Sequence, residues 1–333
     1  MQGGHFGILA TGVDNLTIDN LIVDTNRDGM DIDCCQNGRI TNCTVNSPWD
    51  DGICPKSSYA LGYTRVTKNL TISNCYVTGG YQLGTVIDGI FKPWPADFRV
   101  PRTGRIKCGT ESNGGFQNLA ITNCVFENCQ RRALETVDGA LLDDISISSI
   151  TMRGIVSRTT FLRLGRRMRG PASLPIGKVR RVNISNDVAS NTAGRYASIL
   201  SGIPGHVIEN VKLSDIFILS QGGGTREDAA IPPPEKAAGY PEPTMFGTIP
   251  AYGFYIRHVK GLEMSNVEVQ FEKEDFRPAF VLNEVEGADF VHVKAQKTTG
   301  VPFFSLSNVR DFDIYISRPI AETHIESAAS KEI

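Results

Sequence analysis

Three aspartates near the start of the chain lie in two short motifs. The first motif is Asn26-Arg27-Asp28-Gly29-Met30-Asp31, and the second is Pro48-Trp49-Asp50-Asp51-Gly52. Asp28 and Asp50 are 22 residues apart (50 − 28), which is also the shortest repeat length in the chain. If each repeat is one turn of a solenoid, Asp50 lies one turn above Asp28, ~4.8 Å away along the stack of strands. Crowded carboxylates repel, so at least one should hold a proton near neutral pH. A protonated acid beside an ionised base suits hydrolysis of a sugar bond.

Repeated strands are the elements that must position these aspartates. Each copy has an Asn or Asp, then apolar residues alternating with small polar ones, and this period of two is typical of a strand with one buried face. A turn of about 22 to 26 residues with inserted loops fits all the intervals between copies and predicts an all-β parallel solenoid. An Asn at the sixth position of most copies should mark a bend in left-handed conformation. These residues are Asn20, Asn42, Asn74, Asn123, Asn186 and Asn266.

The repeats run through most of the chain, so we expect a single β-helix domain over residues 1–333. Long inserted loops are predicted at about 76–115, 155–178 and 220–255. Long ordered loops on a rigid scaffold usually build the binding surface. The 220–255 loop is the candidate to close one end of a substrate cleft, which attack at a chain end would require.

Composition narrows the possible partners and cofactors. The net charge of −2 over 333 residues implies no bulk attraction to nucleic acid or membrane. The chain contains no apolar run of ~18 residues, so the sequence predicts no membrane span. All eight cysteines lie in the first 129 residues, without the paired spacing that zinc needs, so no metal or cofactor is predicted. Cys43, Cys75 and Cys124 share one repeat position and should form a ladder of small buried side chains.

Three groups of residues in the first third of the chain resemble the signature of a known family. Asn26-Arg27-Asp28-Gly29-Met30-Asp31, Asp50-Asp51-Gly52-Ile53 with Lys56 following, and Arg105-Ile106-Lys107 resemble the signature of polygalacturonase-like glycoside hydrolases, family 28. Longer stretches such as Thr110-Glu111-Ser112-Asn113-Gly114-Gly115-Phe116 are similar to bacterial members. The resemblance covers most of the chain and implies a right-handed parallel β-helix of the pectin-lyase-like kind that hydrolyses pectin backbones with inversion.

The resemblance also implies roles for individual residues. Asp50 would be the general acid that protonates the leaving oxygen, and Asp28 and Asp51 would activate the attacking water. Arg105 and Lys107 would bind the uronate carboxylate next to the scissile bond.

Further substrate contacts are expected from neighbouring residues. Asn26 belongs to the same motif as Asp28, and Lys56 adds positive charge beside the Asp pair. The family usually has Gly-His-Gly after the Asp pair, and here the corresponding stretch is Gly80-Tyr81-Gln82-Leu83-Gly84. We therefore expect Tyr81 or Gln82 to supply the hydrogen bond that the histidine would provide.

Basic residues elsewhere allow two interpretations. Arg105 and Lys107 are two residues apart and should share one face of a strand, where they could hold an anionic sugar. Arg163, Arg166, Arg167 and Arg169 lie in or beside the second insertion. These four fit anionic-substrate binding and internal ion pairing equally well.

Three functions remain open on sequence grounds. The leading hypothesis is an inverting glycoside hydrolase whose partner is an acidic, uronate-containing polysaccharide or oligosaccharide. The alternatives are a polysaccharide lyase, in which the aspartates would hold Ca²⁺ and Lys107 or Arg105 would take the proton, and a non-catalytic carbohydrate-binding β-helix. Oligomeric state is left open.

The start of the chain gives a further expectation. Met1-Gln2-Gly3-Gly4 has neither the charged nor the apolar region of a signal peptide, and repeat-like sequence begins by Val13. We expect a missing N-terminal part, and a secreted or periplasmic location by analogy with the family.

Overall fold

The computed structural model describes residues 1–130 and 132–333, and nearly all of its regular structure is β-strand. One short helix, α1 (Arg226–Ala229), and one 3₁₀ turn (Pro243–Phe246) lie in the third insertion. The strands are β1 (Gln2–Gly3), β2 (Ile8–Thr11), β3 (Thr17–Asp19), β4 (Ile22–Thr25), β5 (Met30–Asp33), β6 (Gln36–Thr41), β7 (Thr44–Asn46), β8 (Ile53–Lys56), β9 (Thr67–Ser73), β10 (Tyr76–Thr78), β11 (Lys107–Cys108), β12 (Phe116–Glu127), β13 (Arg132–Thr136), β14 (Leu141–Arg153), β15 (Thr160–Leu164), β16 (Lys178–Thr192), β17 (Ser198–Ser201), β18 (Ile208–Gly222), β19 (Phe254–Lys273), β20 (Phe280–Val291), β21 (Lys294–Ala295), β22 (Phe304–Tyr315) and β23 (Thr323–Glu332).

These strands stack in register as three parallel sheets around one core, which confirms the predicted parallel β-helix. Sheet 1 contains β2, β5, β8, β11, β13, β15 and β17, and continues in the first residues of β19, β20 and β22. Sheet 2 contains β3, β6 and β9, the early parts of β12, β14, β16 and β18, the middle of β19, and the later parts of β20 and β22. Sheet 3 contains β1, β4, β7 and β10, the later parts of β12, β14, β16, β18 and β19, and β21.

Asparagines form the bends between sheets 2 and 3, as the repeat predicts. Asn20, Asn42 and Asn74 have φ angles of 53°, 57° and 55°, a left-handed conformation that Asn tolerates because its short amide bonds neighbouring backbone. Side chains of successive turns also bond each other: Asn74 Nδ2 donates to Asn42 Oδ1 at 3.3 Å. The bends are therefore both local conformational choices and contacts between turns.

The core is a set of inward-facing ladders. Cys43, Cys75 and Cys124 are buried in successive turns, which confirms the predicted cysteine ladder, and all eight cysteines are free thiols. Toward the C-terminal turns the ladders become aromatic, with the rings of Phe280 and Phe304 stacked at 4.8 Å. Burial of such rings is the main favourable term in stacking one turn on the next.

The last turn differs from the others because β23 pairs with β22 in antiparallel orientation. This strand covers the C-terminal edge of the sheets, where parallel stacking would otherwise leave unpaired backbone groups. Within the described residues, no helix has the length and apolar character needed to cross a membrane.

The structure narrows the three predicted insertions. The interval 76–115 includes β10 and β11, the interval 155–178 includes β15, and the interval 220–255 begins within β18 and ends within β19. The irregular segments are therefore about 79–106, 165–177 and 223–253. All three leave the solenoid around sheet 1, so that sheet carries the elaborated face of the molecule.

Candidate active site

A one-residue difference in register creates the aspartate cluster. In sheet 3, Asp24 pairs with Asn46, an offset of 22, whereas in sheet 1, Met30 pairs with Ile53, an offset of 23. One extra residue therefore lies in the bend before β8. The spacing of 22 predicted Asp50 above Asp28, and that prediction is wrong, because the extra residue brings Asp51 into register with Asp28. Asp50 is displaced outward by the same bend.

The backbone amide of Asp51 joins the other two carboxylates. Its N–H donates to Asp28 Oδ1 and to Asp50 Oδ1, both at 3.1 Å. One carboxylate oxygen from each of the three side chains lies within 4.8 Å of the other two. Asp50 is the exposed member, with 27% of its side chain accessible, whereas Asp28 and Asp51 are buried. The cluster thus presents one carboxylate to solvent and holds two behind it.

Asp51 is an ionised carboxylate between two buried cations. Lys107 Nζ lies 2.7 Å from Asp51 Oδ2, and Arg105 Nε donates a hydrogen bond to Asp51 Oδ1. Burial alone would raise the pKa of Asp51, but these two cations outweigh it and hold the pKa well below its ordinary value of 3.8. Arg105 and Lys107 share one face as predicted, yet their side chains are only 3% and 4% exposed and their charges are already paired.

Lys56 links Asp28 to a fourth carboxylate, Asp31. Its Nζ lies 3.3 Å from Asp28 Oδ2 and 2.7 Å from Asp31 Oδ2. Burial raises the pKa of Asp31 to about 7, partly offset by Lys56, and burial likewise raises the pKa of Asp28. The motif contains Asp31, to which the sequence assigned no role; Asp31 alternates with the inward-facing Met30 and Ile32 in β5 and so faces outward.

Arg27 and Trp49 flank the exposed aspartate, and sequence reasoning assigned neither. Arg27 Nη2 lies 2.8 Å from Asp50 Oδ2, and 51% of the Arg27 side chain is exposed. A cleft of about 440 Å³ beside this ion pair is lined by Asn26, Arg27, Trp49 and Leu83. Asn26, a predicted substrate contact, is therefore at the cleft. The sequence could have indicated Arg27 and Trp49, because they are direct neighbours of Asp28 and Asp50 in the two motifs.

Tyr81 and Gln82 have other partners than the aspartates. The hydroxyl of Tyr81 donates to Glu127 Oε2 at 3.0 Å, and the amide of Gln82 donates to the carbonyl of Pro93 at 2.9 Å. These two hydrogen bonds hold the first insertion, to which both residues belong, in place. Leu83, the next residue, is the one that reaches the cleft.

The arginines of the second insertion mostly bind the protein itself. Arg163 Nη1 donates to Ser201 Oγ and to the Gly202 carbonyl at 2.8 and 2.9 Å. Arg167 Nη2 binds Asp138 and approaches Glu111 to 3.5 Å. For these two side chains the geometry favours internal pairing over substrate binding.

The third insertion reaches the site from far along the chain. Glu242 Oε1 accepts a hydrogen bond from Arg105 Nη2 at 2.8 Å, and the hydroxyls of Tyr240 and Thr110 lie 3.2 Å apart. Glu242 is 137 residues from Arg105. Sequence spacing offers no signal for a contact of this kind.

The cluster is close to electrically balanced. Four aspartates, Asp28, Asp31, Asp50 and Asp51, face four cations, Arg27, Lys56, Arg105 and Lys107, and Glu242 adds a fifth carboxylate on Arg105. Asp28, Asp50 and Asp51 are close enough to hold a divalent cation, but each already has a cationic partner. A bound Ca²⁺ would have to displace those partners, so the donor set does not fit a resident metal.

Comparison with known proteins supports the β-helix fold. A family model described as a right-handed β-helix region matches residues 2–160, an interval that contains the four aspartates and the four cations of the cluster. No curated protein matches the chain. Together with the continuous parallel sheets, this match identifies the fold of the chain as a right-handed parallel β-helix.

Proposed function

We propose that the protein is a glycoside hydrolase that cleaves a uronate-containing, pectic polysaccharide. The observation that carries this proposal is the geometry of the cluster: one carboxylate oxygen from each of Asp28, Asp50 and Asp51 lies within 4.8 Å of the others, and Asp50 is the member that reaches solvent. Hydrolysis of a sugar bond uses a pair of carboxyl groups that flank the scissile bond. The resemblance to family 28 glycoside hydrolases points to the same reaction.

In the proposed mechanism, Asp50 protonates the leaving oxygen, and Asp28 orients the attacking water and accepts the proton that the water loses as its oxygen bonds to the anomeric carbon. Asp50 is the exposed carboxylate and lies beside the cleft that contains Trp49. Aromatic rings present an apolar face on which a sugar ring can pack. Asp51 acts as a positioning residue, because its amide holds both carboxylates and its side chain holds Arg105 and Lys107.

The ion pair between Arg27 and Asp50 provides a way for the carboxylates of Asp50 and Asp28 to separate when substrate binds. Inverting hydrolysis needs the two carboxyls ~6.5–9.5 Å apart to admit a water, whereas their nearest oxygens now lie within 4.8 Å. The exposed Arg27–Asp50 ion pair is of a weak kind. A uronate carboxylate that replaces Asp50 on Arg27 frees Asp50 to move outward and take its place at the leaving oxygen.

Two features favour hydrolysis over the lyase alternative. A lyase needs a neutral base, and although burial would lower the pKa of Lys107, the Asp51 carboxylate raises it. The pKa of Arg105 is likewise raised by Asp51 and Glu242 against the effect of burial. A lyase of this fold would also need Ca²⁺ among carboxylates that already have cationic partners.

The test is a product assay on polygalacturonic acid and on rhamnogalacturonan. Reducing ends and ultraviolet absorbance are followed together, with and without a chelator. We expect new reducing ends, no absorbance from unsaturated products, and no effect of the chelator. Proton NMR of the first product formed reports whether the anomeric configuration is inverted.

Asp50→Asn should abolish turnover and keep the fold, and Asp311→Asn, at an exposed bend of the last turn, is the matched control. Absorbance that the chelator abolishes would favour the lyase. Saccharide binding without any product would favour the non-catalytic alternative.

A further inference from the structure

The outer face of sheet 1 forms a strip along the axis of the solenoid. Equivalent residues of successive turns stack there at ~4.8 Å intervals. One column runs from Leu9 through Asp31 and Cys54, passes Lys107 and continues to Ala133, Phe161, Ile199 and Tyr255. A polymer that crosses the aspartates on this face would follow the strip toward either end of the molecule.

The third insertion already occupies the strip on the C-terminal side of the aspartates. Arg257 in β19 donates to the carbonyls of Pro233 and Pro234 at 2.9 and 3.1 Å. Arg163 in β15, two turns nearer the aspartates, donates to the carbonyl of Glu235 at 3.1 Å. The insertion therefore runs lengthwise along the strip, toward the site, with its backbone bound by buried guanidinium groups.

An apolar cluster fixes the insertion in place. On sheet 1 it consists of the outward-facing Ala133, Phe161, Ile199 and Tyr255, and on the insertion of Met245, Phe246, Ile249 and Ala251. Phe246 is at its centre, because the Phe161 ring lies 6.2 Å away and the guanidinium groups of Arg163 and Arg257 lie 5.2 and 5.4 Å from its ring. These turns of the strip are filled by protein and offer no surface to a sugar chain.

The tip of the third insertion, formed by Tyr240 and Glu242, lies one turn from the aspartates. Gly52 N–H donates to the Arg105 carbonyl at 2.8 Å, so Arg105 lies on the turn next to Asp51. Glu242 binds Arg105 and Tyr240 meets Thr110 on that same side. The backbones of these two adjacent turns are about one strand spacing, ~4.8 Å, apart, so a sugar chain that runs from the aspartates toward the C-terminal turns meets the insertion on the very next turn.

The opposite direction along the strip is open. Leu9, in the same column as Asp31 but one turn toward the N-terminus, is 58% exposed. The cleft beside Asp50 is lined by Asn26 and Arg27, which lie on the same turn as Asp28, and the turn that contains Leu9 follows it in the N-terminal direction. Substrate has a path over these turns and none over the C-terminal ones.

We propose that the enzyme attacks chain ends and releases one sugar per cleavage, because the third insertion closes the substrate strip one turn beyond the aspartates. This inference deepens the proposed hydrolase function and depends on it. The terminal sugar lies between Asp50 and the barrier formed by Tyr240 and Glu242, and the remainder of the acidic chain extends over Arg27 and Trp49.

The experiment follows the wild-type protein on polygalacturonic acid, with solution viscosity, reducing ends and product sizes measured in the same samples. Random partial acid hydrolysis of the same polymer is the reference. We expect monosaccharide from the earliest times, and far less loss of viscosity than the acid hydrolysate shows at equal reducing-end release. Mixed oligosaccharides with a viscosity loss that matches the reference would overturn the proposal. No product from this polymer or from rhamnogalacturonan would refute the hydrolase assignment, and attack at chain ends would be refuted with it.

A variant with a smaller barrier provides a second test. Tyr240→Ala combined with Glu242→Ala removes the tip and leaves the apolar anchor around Phe246 intact. We expect products longer than one sugar to appear, with a melting temperature below that of the wild type because the buried Arg105 keeps Asp51 but loses Glu242. Tyr315→Ala, an exposed tyrosine of the last turn, is the control and should release monosaccharide only. An unchanged product profile in the folded double variant would show that the tip is not the barrier.

Discussion

Asp51→Asn should unfold the protein far more readily than Asp50→Asn, although the two residues are neighbours. Asparagine at position 51 removes one buried charge and leaves the buried Arg105 and Lys107 without their shared counter-ion. Breaking a buried pair in this way costs about 3–5 kcal/mol. At position 50 the lost contact is the exposed ion pair with Arg27, which is worth about 1 kcal/mol or less.

The molecule provides its own probe for this comparison. Its two tryptophans, Trp49 and Trp94, lie in edge contact at 5.1 Å beside the site. Denaturant titration followed by tryptophan fluorescence therefore reports on the turns that hold Asp51. The free energy of unfolding should fall by about 3–5 kcal/mol in Asp51→Asn and by no more than about 1 kcal/mol in Asp50→Asn.

The pH dependence gives the same prediction a second readout. The folded-state pKa of Asp51 is depressed below 3.8, so its stabilising contribution is fully present above that value and is lost as the pH falls through the folded-state pKa. The stability difference between wild type and Asp51→Asn should be largest near neutral pH and shrink in acid. Equal unfolding free energies for wild type and Asp51→Asn at neutral pH would refute this account of the site.

Three further predictions concern residues around the cluster and in the core. Arg27→Gln should raise KM for a uronate substrate by about 10-fold or more, as expected for a charge-assisted hydrogen bond, with little change in KM for an esterified substrate, in steady-state kinetics. Asp31→Asn should flatten the pH dependence of stability, because a folded-state pKa of about 7 against 3.8 makes wild-type stability fall as the pH rises between these values; thermal denaturation across that range tests it. Arg132→Met leaves the buried Asp187 without the guanidinium that binds it and should cost about 3–5 kcal/mol, whereas Arg132→Met with Asp187→Leu should recover most of the loss, as measured by chemical denaturation.

The solenoid and its bends could be predicted from sequence because their causes are local. Alternating apolar residues bury one face of each strand, and a repeat of nearly constant length stacks those faces into ladders. The bends at Asn20, Asn42 and Asn74 follow from the intrinsic tolerance of Asn for left-handed backbone. Cys43, Cys75 and Cys124 share one ladder because they share one place in the repeat.

The composition of the site was only partly predictable. Asp28, Asp50 and Asp51 are adjacent in the structure as the motifs indicated, and Lys56, Arg105 and Lys107 surround them. Their roles as substrate contacts remain predictions. The partners of Tyr81 and Gln82 could not be read from a short motif, since they depend on how the first insertion folds back on itself.

The sequence by itself therefore determined the repeat, the bends and the presence of an acidic cluster on one face. The tertiary structure decided which aspartate lies over Asp28, because one extra residue in the bend before β8 shifts the register by one. It also decided that Glu242 meets Arg105 and that the third insertion fills the C-terminal half of the strip. Contacts between residues 137 positions apart depend on the packing of a long loop against many turns at once, and no local preference encodes that packing.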